Sequence, residues 1–454
     1  MQFNKEEWRF TGRWIQPTLS ESFWDEWSQN NEKFPFDFPR IEGKFVGFHG
    51  YYFLKKNDVE TIKKFLKDNA GNFELLDVFI KWTENIHDKC FNEIHKSYDN
   101  LVDALKNIKK LNNDNVNTWV FLMTVGDILI EVCEDVHPQA EFILSYTQPL
   151  KDSFMIKQFR EASQIHNELE KKSIISKNIE EVEKQDSKLA GRIKEHIKRF
   201  EFTGMHHFVG SPYSLFQFFD FKPSSKNELV EENIPEVPEE LKWWAKLMSI
   251  ASWARTDMAE TSDYMQLITK PIFMKVNDVL GLEEHEYLWL NIDELIEGVE
   301  NPSEFKRPNI EKRREKCGVI SENGKLIVIE GDDNDSYIKQ LMPEKKNISF
   351  PLKGRVASKG IARGKAKIVQ RPEEIEKIEE GDILVAPETT PDFIVGMKKA
   401  VGIITNRGGI TSHAAIVSRE FGIPCIVGVE GATEVIKDND LIELNADKGE
   451  VRKL

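Results

Sequence analysis

Cysteine is scarce. The four in 454 residues, Cys90, Cys133, Cys317 and Cys425, lie far apart with no Cys-x-x-Cys pair, which removes a disulfide framework and gives no reason to expect a metal site. No apolar run is long enough to cross a bilayer, and no charged-then-apolar leader opens the chain, so a cytoplasmic protein without a membrane partner is expected. Positive charge is also short: 62 Lys and Arg face 77 Asp and Glu, a net charge of −15 with no basic stripe. This argues against nucleic acid as a partner, because phosphate backbones are held by clustered Lys and Arg. Glycine is thin over most of the chain, with 14 of 26 in the first 350 residues and no glycine-rich phosphate loop among them, so no nucleotide site is expected there.

The other 12 glycines fall in the last 104 residues, where 16 Lys and Arg balance 16 Asp and Glu, so the whole net charge of −15 belongs to residues 1–350. Two unlike regions follow: a large, mostly α-helical N-terminal body over residues 1–345 and a C-terminal α/β domain over residues 346–454, with a linker at about 341–350. The opening, with Trp8, Trp14, Trp24 and Trp27, reads as aromatic and irregular, and residues 44–53 read as β-structure broken by glycines. Apolar residues at three- and four-residue spacing predict helices over 74–112, 119–134, 156–200 and 239–280. Asn323-Gly324 before an apolar run at 325–330 predicts a hairpin, and residues 331–335 a polar loop. Beyond 351, strands are expected at 354–357, 364–369, 382–386, 402–405, 424–427 and 441–444, with helices at 392–399 and 412–421.

The densest chemistry lies in Thr405-Asn-Arg-Gly408-Gly409-Ile-Thr411-Ser412-His413, followed by Arg419. A strand ends in a paired-glycine turn, and Thr411 or Ser412 is placed to cap a helix whose first turn holds His413. The free N–H groups and positive end of that helix favour an anion, and the glycines let the backbone come close to it. The hydroxyls of Thr405, Thr411 and Ser412 can add hydrogen bonds; Arg419, six residues after His413, points to another helical face. A neutral imidazole is nucleophilic near pH 7, so the pattern suits a histidine that carries a phosphoryl group.

With Ser358-Lys-Gly360-Ile-Ala-Arg363-Gly364 and Gly381-Asp-Ile-Leu-Val-Ala-Pro-Glu-Thr-Thr-Pro391 added, residues 352–454 resemble the mobile, swivelling phosphohistidine domain of the phosphoenolpyruvate-utilising enzymes, such as phosphoenolpyruvate synthase and pyruvate phosphate dikinase. The resemblance places the carrier histidine at His413. In the body, the stretch from Arg199 to Pro212, with His206 and His207, and the segment Trp253-Ala-Arg255-Thr-Asp257 are similar to the central helical domain of rifampin-phosphotransferase-like members. That similarity makes His206, His207, Arg255 and Asp257 acceptor-binding candidates. The family's ATP-grasp domain has no counterpart in the chain, and neither has the barrel that binds phosphoenolpyruvate. The resemblance therefore implies a separate ATP-grasp subunit holding ATP and Mg2+, a small-molecule acceptor, a substrate other than phosphoenolpyruvate, and conversion of ATP to AMP and phosphate. The rival reading is a non-catalytic binding or regulatory protein that keeps the phosphohistidine fold.

Overall fold

The computed structural model describes residues 3, 5–13, 34–39, 45–48, 51–134, 143, 147, 149–204, 212–221, 236–322, 325–341, 349–389, 393–409 and 412–454. The chain divides into two units: unit 1 is Met1–Val125, Pro149–Phe221 and Ser249–Pro343, and unit 2 is Gly126–Gln148, Lys222–Met248 and Glu344–Leu454. Among the described residues, no helix is long and apolar enough to cross a membrane.

Among the described residues before 345, the α-helices are α1 (Lys56–Asp68), α2 (Phe73–Glu93), α3 (Leu101–Glu134), α4 (Phe154–Lys171), α5 (Ile179–Gln185), α6 (Ser187–Phe200), α7 (Leu215–Asp220), α8 (Lys242–Leu280), α9 (Ile292–Glu300), α10 (Ile310–Glu315) and α11 (Asp333–Leu341). Apolar periodicity alone predicted fewer and longer helices, and side-chain caps account for the difference. Asn100 Oδ1 accepts from Asp103 N at 2.9 Å and opens α3. Asn178 and Asp186 do the same for α5 and α6, accepting from Glu180 N at 2.8 Å and Leu189 N at 2.9 Å. Each cap satisfies an N–H that a continuous helix would have bonded internally. The apolar faces of α4, α5, α6 and α7 then enclose one core, with Ile165, Val182, Ile193 and Phe218 fully buried.

Unit 1 also holds a five-stranded antiparallel sheet, β1-β3-β2-β4-β5, made from β1 (Trp8–Arg13), β2 (Phe45–Phe48), β3 (Tyr51–Lys55), β4 (Cys317–Glu322) and β5 (Lys325–Glu330). The opening expected to be irregular is thus in part a strand; Trp14, Trp24 and Trp27 lie outside the described residues. Trp8 packs with Val46, Phe53, Ile320 and Leu341 under the sheet. The expected hairpin is β4–β5, its residues 323 and 324 lying outside the described residues. Of the polar loop expected at 331–335, residues 331 and 332 form a turn and 333–335 are the start of α11, where Asn334 Nδ2 donates back to Gly331 O at 2.9 Å and Ile329 O at 3.2 Å. Arg313 of α10, buried, ties α9 to β5: it donates to both Glu294 oxygens at 2.7 and 2.8 Å, to Glu330 at 2.6 Å and to the Trp289 carbonyl at 2.9 Å.

In unit 2 the last hundred residues form an eight-stranded mixed sheet, β6-β13-β12-β8-β9-β10-β11-β7. Its members are β6 (Leu352–Lys353), β7 (Arg355–Ser358), β8 (Ile361–Ile368), β9 (Ile383–Ala386), β10 (Gly402–Thr405), β11 (Cys425–Val427), β12 (Leu441–Asn445) and β13 (Glu450–Lys453). Strands β8, β9, β10 and β11 run parallel. β9 and β10 are buried along their whole length, which is why they read as short continuous apolar runs rather than alternating ones. Three short helices accompany them: α12 (Ile394–Met397), α13 (His413–Glu420) and α14 (Ala432–Val435). Sheet and helices share a core of Ala366, Ile383, Val385, Ile404, Ile426 and Ile442.

Candidate functional site

The carboxyl ends of β9 and β10 carry the residues of interest, where parallel sheets generally place their sites. Asn406 N donates to Ala386 O and Arg407 N to Pro387 O, both at 3.0 Å, so the two strand-end loops are laced together. Asn406 is pinned in turn to α14, donating to Thr433 Oγ1 at 2.7 Å and accepting from Thr433 N at 2.9 Å. Gly408 follows with φ +106, a backbone region that favours glycine, and a Cβ there would meet Ser412 Cβ and Oγ at 2.9 Å. A Cβ on Gly409 would stand 3.1 Å from Asp127 Oδ1. Ser412 is the cap of α13, its Oγ accepting from Ala415 N at 3.4 Å. His413 is the first helical residue.

The ring of His413 is held from the β9 side, where Thr389 Oγ1 lies 2.9 Å from Nδ1 while Nε2 is buried. Thr389 is buried as well. It sits in the Pro-Glu-Thr-Thr-Pro loop that marks the family resemblance, but no sequence argument singled it out, since nothing local links two residues 24 positions apart. A hydroxyl that accepts from Nδ1–H leaves the ring lone pair on Nε2.

The sequence candidates are thus only partly brought together. His413, Ser412, Gly408 and Gly409 share one turn. Thr405 closes β10 just behind it, but its hydroxyl donates to Arg407 O at 2.6 Å, so that proton is not offered to an anion. Thr411 lies outside the described residues. Arg419 is in the last turn of α13, about 120° around and roughly 9 Å along the helix from His413. Replacing Gly408 with alanine is expected to cost about 2 kcal/mol, from the positive φ and the push on the Ser412 cap. Amide hydrogen exchange at Ala415 should then quicken about tenfold or more; unchanged exchange would show that the turn tolerates a side chain.

Unit 1 contains the acceptor candidates. His206 and His207 lie outside the described residues. Arg255 and Asp257 are on α8, and Asp257 is buried, its Oδ2 3.0 Å from Nδ1 of His87 on α2. Thr261 Oγ1 is 3.1 Å from the same nitrogen. Positions 87 and 91 of α2 thereby face 257, 261 and 264 of α8, with the Phe91 and Tyr264 rings stacked at 3.9 Å. His87 was not found from sequence, because its partner is 170 residues away.

Glu260, also buried, accepts from Phe154 N at 2.7 Å and Met155 N at 2.9 Å. Burial outweighs those two donors and pushes its carboxyl up to about 7. A carboxyl that keeps its proton to higher pH when folded than when unfolded favours folding at low pH, so this contribution is lost as pH rises from about 4.5 to about 7. Glu260→Gln should flatten the pH dependence of unit 1 stability across that window, seen as unfolding midpoints that no longer fall with pH.

Comparison with known proteins gives this geometry a class. Residues 378–449, which span Thr389 and His413, match the family described as PEP-utilising enzyme, mobile domain. That part of the chain is similar to the mobile domain of the PEP-utilising enzymes. Beyond it, the chain is similar to phosphoenolpyruvate synthases. It is 46% identical over 128 residues to the "Probable phosphoenolpyruvate synthase" of Methanothermobacter thermautotrophicus, covering 26% of this chain and 19% of that protein. It is 35% identical over 186 residues to the phosphoenolpyruvate synthase of Pyrococcus furiosus, covering 40% and 23%. To that of Aquifex aeolicus it is 34% identical over 227 residues, covering 40% and 26%. The chain spans about a fifth of the length of the curated relatives it matches.

Proposed function

We propose that the chain is the carrier and acceptor-binding component of a dikinase-type phosphotransferase in the cytoplasm. His413, on a swivelling domain of residues 346–454, takes a phosphoryl group from a separate ATP-grasp subunit that converts ATP to AMP and phosphate. It passes the group to a small-molecule acceptor bound by the helical body, residues 1–345, with His206, His207, Arg255 and Asp257 as acceptor contacts. The observation that carries this reading is His413 at the start of α13 with Nδ1 2.9 Å from Thr389, inside a stretch that matches the PEP-utilising mobile domain. Similarity to phosphoenolpyruvate synthases supports a phosphotransfer-related role.

The chemistry asked of this chain is positioning and charge stabilisation, as in phosphoryl transfer generally. The Nε2 lone pair forms the P–N bond as the donor's leaving oxygen takes the P–O electron pair, while Nδ1 keeps its proton against Thr389. Backbone N–H groups in the first turn of α13, the Gly408-Gly409 turn and the hydroxyl of Ser412 would stabilise the added charge. On delivery the acceptor oxygen forms the new P–O bond and the P–N pair returns to Nε2. Mg2+ would neutralise phosphate charge at the nucleotide. Mg2+ and ATP are assigned to the partner because the family resemblance places them on an ATP-grasp domain.

The test is incubation of the chain with ATP radiolabelled at the β-phosphate, with and without a candidate ATP-grasp partner. Acid-labile, base-stable label that appears only with the partner, and is discharged by an acceptor, is the expected result. No label with a partner that charges another carrier overturns the reading.

A further inference from the structure

A groove of about 290 Å3 opens on unit 1, formed by Phe154, Lys157, Arg160 and Glu161 of α4 with Arg199 and Phe200 of α6. Its volume is at the lower end for small-molecule sites. Its charge runs against its surroundings: residues 1–350 hold the whole net charge of −15, yet three cations here meet one carboxylate. Each ring has a cation on its face, with Lys157 Nζ 5.0 Å from the Phe154 centroid and Arg199 Cζ 4.7 Å from that of Phe200. Arg160 pairs with Asp152, and Arg199 pairs with Glu161, the groove's own carboxylate.

Glu161 has a second neighbour. Its Oε1 lies 3.5 Å from Nδ1 of His196, a residue that is 0% exposed and whose Nδ1 makes no hydrogen bond. At that distance the contact is too long to count as a good bond, and a buried polar nitrogen left unmet is costly. Burial holds the His196 pKa down, so the ring is neutral near pH 7. Tyr213 Oη, kept protonated by a pKa pushed up to about 12, stands 3.4 Å from Nε2. A hydroxyl that donates to Nε2 leaves the ring proton on Nδ1, directed at Glu161.

The geometry points to a binding site for a small organic anion, a carboxylate on a planar apolar body, in which the ligand's carboxylate takes Arg199 and Glu161 turns to His196 Nδ1. Glu161 occupies Arg199 as the ligand's carboxylate would, since Arg and carboxylate pair through the same forked hydrogen bonds whatever carries the carboxylate. The exchange gives the buried His196 Nδ1 a partner, and the two phenyl rings flank the ligand's body. This assignment deepens the acceptor role proposed for the helical body by naming a seat and a chemical class.

The test is equilibrium binding of benzoate to the full chain, with inorganic phosphate as the comparison and the His196 ring signal followed by NMR. Benzoate should bind and shift the His196 signal. Arg199→Gln and Lys157→Gln should each weaken binding about tenfold, the effect of one lost charge-assisted contact. Glu161→Gln, which removes the internal competitor, should tighten it. Circular dichroism of each variant separates lost binding from lost folding. Affinity unchanged in Arg199→Gln, phosphate bound as well as benzoate, or no binding by the folded wild type would each overturn the site. Label uptake by His413 is measured separately, so failure of the groove and failure of the carrier reading are distinguishable.

Discussion

His413→Ala is expected to take up no label from β-labelled ATP under conditions in which the wild-type chain is charged by its partner. The loss should be complete rather than partial, because the side chains that hold the ring and cap the helix, Thr389 and Ser412, offer oxygens and not a nucleophilic imidazole nitrogen. His413→Asn keeps a polar side chain at the start of α13 but has no lone pair of comparable nucleophilicity, and it should be equally dead. Fold loss is not the cause to expect. His413 is only half-buried, and the α13 cap is made by Ser412, so both variants should retain wild-type unfolding behaviour. Label persisting in either variant would place the carrier elsewhere and leave His413 as an ordinary helix-start residue.

Arg313→Met should produce the largest stability loss. Arg313 is 5% exposed and satisfies two carboxylates and a backbone carbonyl across α9, α10 and β5. Removing one member of a buried ion network leaves the others desolvated without a partner, which costs about 3–5 kcal/mol in typical cases. The Glu294 and Glu330 side chains retain 31% and 32% exposure, so water repays part and about 2–3 kcal/mol is the expected loss. The urea unfolding midpoint should fall correspondingly. Adding Glu294→Gln and Glu330→Gln to Arg313→Met should recover part of the loss, because no buried charge is then left alone. A shift below about 1 kcal/mol in the single variant would show that the carboxylates reach solvent freely.

Some of this architecture could be read directly from the residues. The turn from β10 into α13 is local: Gly402–Thr405 is a continuous apolar run, two glycines follow, and a capping serine precedes His413. Each of these acts through its own backbone within a few positions, so order in the sequence is order in space. The division into an acidic helical region and a neutral, glycine-rich region is likewise a property of composition. Helix number was less legible, because Asn100, Asn178 and Asp186 interrupt an apolar period that continues across them.

What only the tertiary structure decided are the pairings between distant positions. β1 reads as an irregular aromatic opening until β3 pairs with it, and β2 joins the same sheet to β4; a strand's hydrogen bonds belong to its neighbour, which no local pattern names. Thr389 reaches His413 across 24 residues, and Asp257 reaches His87 across 170. The residue type that could carry a phosphoryl group was written in the sequence, whereas the groups that hold its ring, and the groove that lies far along the chain from it, depend on which surfaces the fold brings together.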